Sequence, residues 1–524
     1  MSSQAAASAP LMLSVSGCRG IFGQSVTPEV AARFAMTVAA HLRAHAQSNG
    51  GSGGSGGSGG AAPQSPSRKP LVVLARDGRA AGDLLLRAAA AGLAAGGCDV
   101  LDCGVAMTPT VGVMVDSHAA AAGLIITASH NPQQWNGMKI VLRDASRRLD
   151  RGVVDACAPE KPTADAIIAS FKDASGAGSG GLAAPRATGV GVNDIGAITE
   201  SPRGGLGLPG ASTTTHIERL KHALKELGMH DDRRAMAIKC VVDSVNSSGV
   251  EAVRELLGDR LVHHVGAGTS GLFPHTPEPT RENLTSLCEF VTRKHADVGF
   301  AQDPDADRLA IIDERGGYIG EEYTLVLAAE AVLGAMVERG GPDAARGKVM
   351  VINLSTSRMI EDVAAKYGAR VLRAAVGEAN VVELMKKEGA VLGGEGNGGV
   401  IWPKVTYIRD SLTSIALVIG LLARTGKTVS QLVSEIPSYA IVKKKVDLPD
   451  LSKAAPALAA VKQRFASQVT SGAATIDEQD GVRVSFGSEG WLHVRASNTE
   501  PILRLIAEAP TVEKAEGLAG DAGR

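Results

Sequence analysis

Short runs of β-branched and apolar residues alternate along this chain with longer stretches rich in alanine and leucine. Predicted strands at 71–75, 100–103 and 124–127 are separated by predicted helices at 82–95 and 111–118. Similar alternation follows over 217–301, with a strand at 237–243, and again over 324–393. Because strand–helix–strand units build mainly parallel sheets, the pattern predicts three tandem mixed α/β domains.

The character of the chain changes at about residue 437. Strands are predicted at 441–446, 482–486, 491–495 and 502–509 around one helix at 454–465, with a short or frayed helix over 513–524. This pattern indicates a smaller C-terminal α+β domain. A length of 524 residues leaves room for about three or four domains of ordinary size.

Two glycine-rich segments divide the pattern. Residues 47–70 contain a Gly/Ser repeat and predict a disordered insertion inside the first domain, because such a composition buries too little apolar surface to fold. Residues 171–215 predict a linker or crossover. We therefore expect domain I at 1–170, domain II at 216–315, domain III at 316–436 and domain IV at 437–524.

Charge and cysteine usage narrow the class of protein. With 54 basic and 55 acidic residues, and no basic block carrying aromatic residues, the chain does not have the composition of a nucleic-acid binder. The 6 cysteines form no C-x-x-C pair, which favours reduced thiols. We find neither a signal-peptide pattern nor an apolar run of membrane-spanning length, so we expect a soluble, cytoplasmic protein without membrane contact. The sequence leaves open whether it is a monomer or a homodimer.

A serine beside a histidine follows the apolar run 124–126, in the segment Thr127-Ala128-Ser129-His130-Asn131-Pro132. Such a serine is most often only a turn or helix-capping residue. Lys139 follows on a predicted returning strand, where its ammonium would be close enough to neutralise a phosphoryl group on the serine. Ser129, His130 and Lys139 are therefore candidates for phosphoryl-transfer chemistry.

Three aspartates alternate in Asp303-Pro304-Asp305-Ala306-Asp307-Arg308. In extended backbone the three carboxylates share one side, where a hard cation such as Mg²⁺ would relieve their repulsion. A calcium EF-hand is the main rival, because Glu314 is the twelfth residue counted from Asp303. The rival fails because Arg308 occupies the glycine position and a strand follows at 309–312. A solvated acidic turn is the simpler alternative.

Two polar loops complete the candidate site. The glycine-rich loop 394–399 carries Glu395 and Asn397 and suits a polyhydroxylated ligand; no helix follows it, which excludes a nicotinamide site. The alternative is an ordinary glycine turn. The segment 495–501 groups a guanidinium, two hydroxyls and an amide, which suits a phosphate dianion or, more simply, forms a polar turn. Its candidate residues are Arg495, Ser497, Asn498 and Thr499, with Arg504 on the next strand.

Taken together, these motifs resemble the α-D-phosphohexomutase family over nearly the whole chain outside the two glycine-rich segments. The family landmarks occur in family order as TASHNP, DPDADR, GEGNGG and RASNTEP, and the segments 16–20 (SGCRG) and 376–381 (VGEANV) also match. Asn397 differs from the serine that many members carry in the sugar loop. The resemblance implies four domains in a heart-shaped arrangement with the site in a central cleft.

The resemblance also implies residue roles. Ser129 would be carried as phosphoserine, and Asp303, Asp305 and Asp307 would bind Mg²⁺ together with it. Arg19, His130, Lys139 and Arg308 would line the transfer site, with Lys139 and His130 in acid/base roles. Glu395 and Asn397 would hold sugar hydroxyls, and Arg495, Ser497, Asn498 and Thr499 the second phosphate.

The implied reaction exchanges a hexose 1-phosphate with its 6-phosphate through a 1,6-bisphosphate, which would also act as activator. We expect glucosamine phosphate as substrate, with mannose or glucose phosphate as the alternatives. A sugar-phosphate phosphatase or a noncatalytic sensor are more distant readings; a sensor would be expected to lack Ser129 or the aspartates.

Overall fold

The computed structural model of the protein describes residues 10–50, 69–143, 156–174, 189–202, 210–229, 233–268, 270–497 and 502–522. Four sheets follow one another along the chain, and we call each sheet with its helices a unit. In the described part of the chain no helix is both long enough and apolar enough to cross a bilayer.

Unit 1 has an eight-stranded mixed sheet in the order β1-β2-β6-β5-β3-β4-β8, with β7 paired to β6. Its strands are β1 (Met12–Ser14), β2 (Gly17–Ile21), β3 (Leu71–Arg76), β4 (Asp99–Val105), β5 (Ala122–Ile126), β6 (Trp135–Arg143), β7 (Ala156–Cys157) and β8 (Ile198–Glu200). Its helices are α1 (Pro28–Gly50), α2 (Gly82–Ala95), α3 (Thr108–Ser117) and α4 (Lys161–Ala174). Strand β8 lies within the predicted linker or crossover, so part of that segment belongs to this sheet. Most of the predicted insertion, 51–68, lies outside the described residues.

Unit 2 has a four-stranded sheet in the order β10-β9-β11-β12. It comprises α5 (Ala211–Leu227), α6 (Arg233–Ala237), β9 (Cys240–Asp243), α7 (Gly249–Leu257), β10 (Leu261–Val265), α8 (Thr285–Arg293), β11 (Val298–Gln302) and β12 (Leu309–Ile312). The strand predicted at 237–243 was wrong at its start, because Ala237 ends α6 and the buried strand begins at Cys240.

Unit 3 repeats the same plan, with the sheet order β14-β13-β15-β16. It comprises α9 (Glu322–Gly340), β13 (Val349–Asn353), α10 (Met359–Lys366), β14 (Arg370–Ala374), α11 (Glu378–Glu388), β15 (Leu392–Glu395), β16 (Gly399–Ile401), α12 (Ser411–Thr425) and α13 (Val429–Ser434). Units 2 and 3 share one hydrophobic core, in which Ile217 and Val242 join Leu325 and Leu412. Burying these side chains together holds the two units in one arrangement.

Unit 4 has a five-stranded antiparallel sheet in the order β17-β21-β20-β19-β18 and a core of its own. It comprises β17 (Ala440–Asp447), α14 (Ala454–Arg464), α15 (Ala466–Thr470), β18 (Thr475–Asp477), β19 (Val482–Ser485), β20 (Trp491–Ala496), β21 (Ile502–Ala509) and α16 (Val512–Ala522). The α+β character is confirmed. Strand β18 and helix α15 were not predicted, and both are short enough to carry little periodicity in sequence.

One structural detail recurs in units 1, 2 and 3. In each, a strand that pairs in parallel with a neighbour (β5, β11 or β15) runs into a short loop, and the next strand returns antiparallel beside it. The three loops are 127–134, 303–308 and 396–398. These are the first three candidate motifs of the sequence, so the fold presents each of them in the same way.

Candidate active site

Ser129 is held in a strained conformation by a buried ion pair. Its φ of +53° lies in the left-handed region, which is uncommon for a residue with a Cβ. The backbone N–H of Ser129 donates to Thr127 Oγ1 (2.8 Å), and the Thr127 hydroxyl donates to Asp77 Oδ2 (2.7 Å). Arg79 pairs with Asp77 (3.1 Å) and donates to the carbonyl of Ser129 (2.6 Å). The loop is therefore shaped before any ligand binds.

The loops of units 1 and 2 meet at the serine hydroxyl. Ser129 Oγ donates to Asp303 Oδ2 at 3.0 Å and lies 3.4 Å from His130 Nδ1. The other carboxylate oxygen of Asp303 accepts the backbone N–H groups of Asp307 and Arg308, both at 3.1 Å. Asp303 thus closes its own loop while it contacts the serine.

Asp303, Asp305 and Asp307 form a buried cluster whose ligand atoms all lie within 4.8 Å of one another. Among the described residues, Asp305 Oδ1 and Asp307 Oδ1 are buried and receive no hydrogen bond. Burial, and then repulsion from Asp307 and Asp305, raises the pKa of Asp303 well above its ordinary value. Two free buried oxygens and a carboxyl that ionises with difficulty suit an additional cation at this point. Glu314 contacts Ser430 instead of this cluster, as expected if the loop is not an EF-hand.

Two basic side chains already neutralise part of the cluster. Lys139 Nζ donates to Asp305 Oδ2 (2.5 Å) and to Asp307 Oδ2 (2.9 Å), and Arg409 donates to Asp307 Oδ2 (2.8 Å). Burial opposes ionisation of Asp307, but Arg409 and Lys139 outweigh it and hold the pKa of Asp307 below its ordinary value. Thr108 at the start of α3 donates to Asp305 Oδ2 (2.7 Å).

Arg409 joins this cluster to the glycine-rich loop. Its Nη1 donates to Glu395 Oε2 (2.7 Å) and its Nε to Glu378 Oε2 (2.6 Å). Glu395 also accepts from Asn353 Nδ2 (2.9 Å). One buried guanidinium therefore fixes a residue of the aspartate loop relative to one of the sugar-loop candidates.

The remaining candidates line one cleft of about 640 Å³, which residues of all four units enclose. From the predicted set they are Arg19, His130, Arg308, Glu395, Asn397 and Arg495. Burial, and then the nearby Arg308 and Arg19, lowers the pKa of His130 to about 2, so its imidazole is neutral here. Arg19 donates to Asn131 Oδ1 (3.3 Å), next to the serine loop.

Unit 4 contributes cations to the opposite side of the cleft. Arg495 pairs with Asp480 (2.7 Å) and stands in register with Arg504, which in turn stands in register with Lys445. All three line the cleft. Ser497 is buried and its N–H donates to Ile502 O (3.0 Å). Asn498 and Thr499, predicted to complete this group, lie outside the described residues.

Three residues near the site were missed in the sequence. Arg409 stands beside the N-cap of an apolar helix, and an Arg-Asp pair in otherwise apolar sequence was the available signal. Arg79 follows a strand in Asp77-Gly78-Arg79, but only the fold shows that it reaches the 129–135 loop. Glu322 lines the cleft at the start of α9, and nothing in the sequence distinguishes it from an exposed helix residue.

Family models of known proteins match each unit. The models described as phosphoglucomutase/phosphomannomutase alpha/beta/alpha domains I, II and III match residues 58–151, 215–317 and 321–439, and the C-terminal domain model matches 444–522. With a buried serine and aspartate cluster shared by α/β units, the fold and site define an enzyme of the phosphohexomutase type. The chain belongs to the phosphoglucomutase/phosphomannomutase family.

Relatives match over almost the full chain. A "Phosphoglucomutase/phosphomannomutase" of Thermococcus kodakarensis is 32% identical over 95% of this chain and 94% of its own length. A "Probable phosphoglucosamine mutase" of Methanopyrus kandleri is 32% identical over 96% of this chain and 95% of its own length. A solved phosphoglucomutase/phosphomannomutase family protein of Burkholderia thailandensis has the same fold, with a TM-score of 0.71 at 24% identity over 97% of this chain and 96% of its own.

Proposed function

We propose that this enzyme is a hexose-phosphate mutase, an isomerase that converts glucosamine 6-phosphate into glucosamine 1-phosphate. The observation that carries the proposal is the contact of Ser129 Oγ with Asp303 Oδ2 at 3.0 Å, beside a buried aspartate cluster and a four-sided cleft. Phosphoryl transfer depends mainly on positioning and charge neutralisation, and this arrangement supplies both.

The aspartate cluster fits Mg²⁺, because its ligands are all oxygens and two buried ligand atoms lack hydrogen-bond donors among the described residues. Asp303, Asp305 and Asp307, with an oxygen of the phosphorylated Ser129, would hold the ion, which would neutralise charge on the transferred phosphate. The buried cations Lys139 and Arg409 already balance part of the carboxylate charge.

In the proposed reaction Ser129 carries a phosphoryl group that it passes to a free sugar hydroxyl. The bond between phosphorus and Ser129 Oγ breaks and a bond to the sugar oxygen forms. The sugar hydroxyl proton passes to a base at the site, and Ser129 Oγ takes a proton from an acid there. Lys139 and His130 are the candidates for these acid/base roles: Lys139 is protonated in its ion pairs with Asp305 and Asp307, and the His130 ring is neutral and lies 3.4 Å from Ser129 Oγ.

The 1,6-bisphosphate must then turn over in the cleft before its other phosphate returns to Ser129. Glu395 and Asn397 would hold the sugar hydroxyls in both orientations, while Arg495, Ser497, Asn498 and Thr499 grip the phosphate that is not transferred. Arg19 and Arg308 line the cleft near the serine and would contact the transferred phosphate. An enzyme that loses its bisphosphate is left with an unphosphorylated serine, so hexose 1,6-bisphosphate acts as the activator.

A second candidate substrate class has support of its own. The Thermococcus kodakarensis relative named phosphoglucomutase/phosphomannomutase is as similar to this chain as the phosphoglucosamine mutase relative from Methanopyrus kandleri. Mannose or glucose phosphate is therefore the alternative.

The test follows each sugar by ³¹P NMR. Protein loaded with Mg²⁺ and primed with the cognate 1,6-bisphosphate is given the 6-phosphates of glucosamine, mannose and glucose separately, with Ser129→Ala as the matched control. Fast formation of glucosamine 1-phosphate by the parent protein, and none by Ser129→Ala, supports the proposal. Preference for mannose or glucose assigns the alternative, and steady release of free phosphate would identify a hydrolase.

A further inference from the structure

Glu322 is a buried carboxylate in the wall of the cleft. It is 8% exposed, begins α9 and lines the cleft together with Glu395 and Asn397. Its Oε2 accepts the backbone N–H of Ser357 at 3.0 Å. In the described chain no lysine, arginine or histidine forms an ion pair with it. A carboxylate so deeply buried ordinarily has a cationic partner.

Two other carboxylates of the cleft wall have such partners. Glu395 pairs with Arg409 at 2.7 Å, and the neighbouring Glu321 pairs with Lys443 at 2.5 Å. Glu322 differs from both, because Lys443 pairs directly with Glu321 and affects Glu322 only through its charge. Burial raises the pKa of Glu322 to about 8, although Lys443 opposes that shift. A cation brought by a ligand would supply a directly paired counter-charge.

Glu322 also lies directly against the glycine-rich loop. A Cβ added at Gly396 would lie 2.1 Å from Glu322 Oε2 and 2.2 Å from Oε1, so only glycine leaves room for the carboxylate. The residues on either side of Gly396 are the two proposed to hold the sugar. The carboxylate therefore lies against the loop that is proposed to hold the sugar.

An acceptor without a donor lies on the glycine-rich loop beside Glu322. Asn397 Oδ1 is buried and receives no hydrogen bond from any described residue. Its amide group is turned so that Nδ2 donates to Glu395 Oε2 at 3.5 Å. A buried carboxylate without a direct ion pair and a buried amide oxygen without a donor, both next to Gly396, indicate that the ligand brings a cation and a donor.

We propose that Glu322, assisted by Asn397 Oδ1, selects amino-sugar phosphates by binding the ammonium group of the sugar. An ammonium offers three donors and one positive charge, whereas the hydroxyl at the same carbon of glucose or mannose offers one donor and no charge. The inference rests on the proposed function and names the group that would distinguish glucosamine phosphate from its neutral analogues.

The test compares affinities, which do not depend on turnover. Dissociation constants for glucosamine 6-phosphate and glucose 6-phosphate are measured by calorimetry on the parent protein, Glu322→Gln and the control Glu338→Gln, an exposed glutamate on the same helix. Glutamine keeps the size and the acceptor for Ser357 N–H but cannot give up a proton to pair with an ammonium group. We expect Glu322→Gln to weaken the binding of glucosamine 6-phosphate at least about tenfold, close to 1.4 kcal/mol. The binding of glucose 6-phosphate should weaken less than about twofold.

The control should not alter the ratio of the two affinities, because Glu338 is exposed near the other end of α9. If Glu322→Gln weakens the binding of both sugar phosphates equally, the ratio of the affinities is unchanged. Glu322 would then only support the loop, and the proposal would be overturned. The kcat and KM values of the parent protein separate this question from the mutase assignment. Charge-dependent binding without conversion of glucosamine 6-phosphate would reject the proposed substrate and keep the binding role of Glu322.

Discussion

The residues around Ser129, which we call the transfer centre, and the unit 4 residues proposed to hold the second phosphate are built in opposite ways. At the transfer centre, buried contacts join three units: Ser129 to Asp303, Lys139 to Asp305, and Arg409 to both Asp307 and Glu395. In unit 4, Arg495 pairs only within its own unit, with Asp480. The described hydrogen bonds from unit 4 to the rest of the chain go to unit 3, as with Arg483 Nε to Leu354 O and Ser355 to His493.

This contrast separates two requirements of a mutase. The reacting groups must be placed within a few tenths of an ångström, which buried ion pairs and a core shared by units 2 and 3 provide. The phosphate at the other end must be gripped in two orientations of the intermediate, and a unit with its own core, docked through polar contacts, suits that task. Substitutions can test whether phosphoryl transfer depends on the contacts among units 1, 2 and 3 and phosphate binding on unit 4.

The largest effect is expected at Ser129. Ser129→Ala removes the oxygen proposed to carry phosphate, so kcat should fall at least about 10³-fold while substrate affinity changes little. The measurement is the initial rate of 6-phosphate conversion by ³¹P NMR. Ser467→Ala, an exposed serine on α15, is the control. Normal turnover by Ser129→Ala would place the chemistry elsewhere.

Arg409 should affect both activity and stability. Arg409→Met leaves Asp307, Glu378 and Glu395 without their shared cation, and breaking buried ion pairs from one side costs about 3–5 kcal/mol. We expect a loss of that order in the unfolding free energy, together with about a 10²-fold fall in kcat. Denaturant unfolding and kinetics test this, and Arg409→Lys should recover part of both. A stable, active Arg409→Met would mean that the transfer centre does not need these pairs.

At Arg495 the predicted effect is on binding. Arg495→Ala removes a charge-assisted contact to the distal phosphate worth about 1.5–3 kcal/mol, so KM should rise roughly 10- to 100-fold with a smaller change in kcat. Steady-state kinetics measure the split, and the exposed Arg464→Ala serves as control. A fall in kcat alone would contradict the division between chemistry and recognition.

The raised pKa of Glu322 predicts that the stability of the protein depends on pH. Its pKa is raised from 4.5 to about 8 by burial, so the folded protein keeps a proton that the unfolded chain loses. Stability therefore falls as pH rises from about 5 to about 8, by at most about 1.4 kcal/mol per pH unit. Glu322→Gln removes this term, and its Tm relative to the parent should rise over that range. A Tm difference that does not change with pH would contradict the shift.

The smallest effect is expected from removing the Gly/Ser repeat at 50–60. Its composition predicts no packed structure, so deletion should change kcat/KM by less than about twofold. The same assay with glucosamine 6-phosphate measures it. A large loss of activity would show that the repeat contributes to the site.

The sequence determined much of this protein by local physics. Alternating strand and helix patterns predicted three mixed α/β domains and a different fourth one, and the motifs around Ser129, Asp303, Glu395 and Arg495 identified the four loops. These signals are local because period, glycine content and clustered polar side chains are properties of short segments.

Only the tertiary structure decided which residues act together. Arg409 contacts Asp307, 102 residues away in sequence, and Arg79 contacts the Ser129 loop, 50 residues away. Glu322 became a candidate only once the fold had buried it against Gly396 without a cation. Sequence patterns report the preferences of neighbouring residues, whereas partners, burial and missing counter-charges arise when distant segments pack.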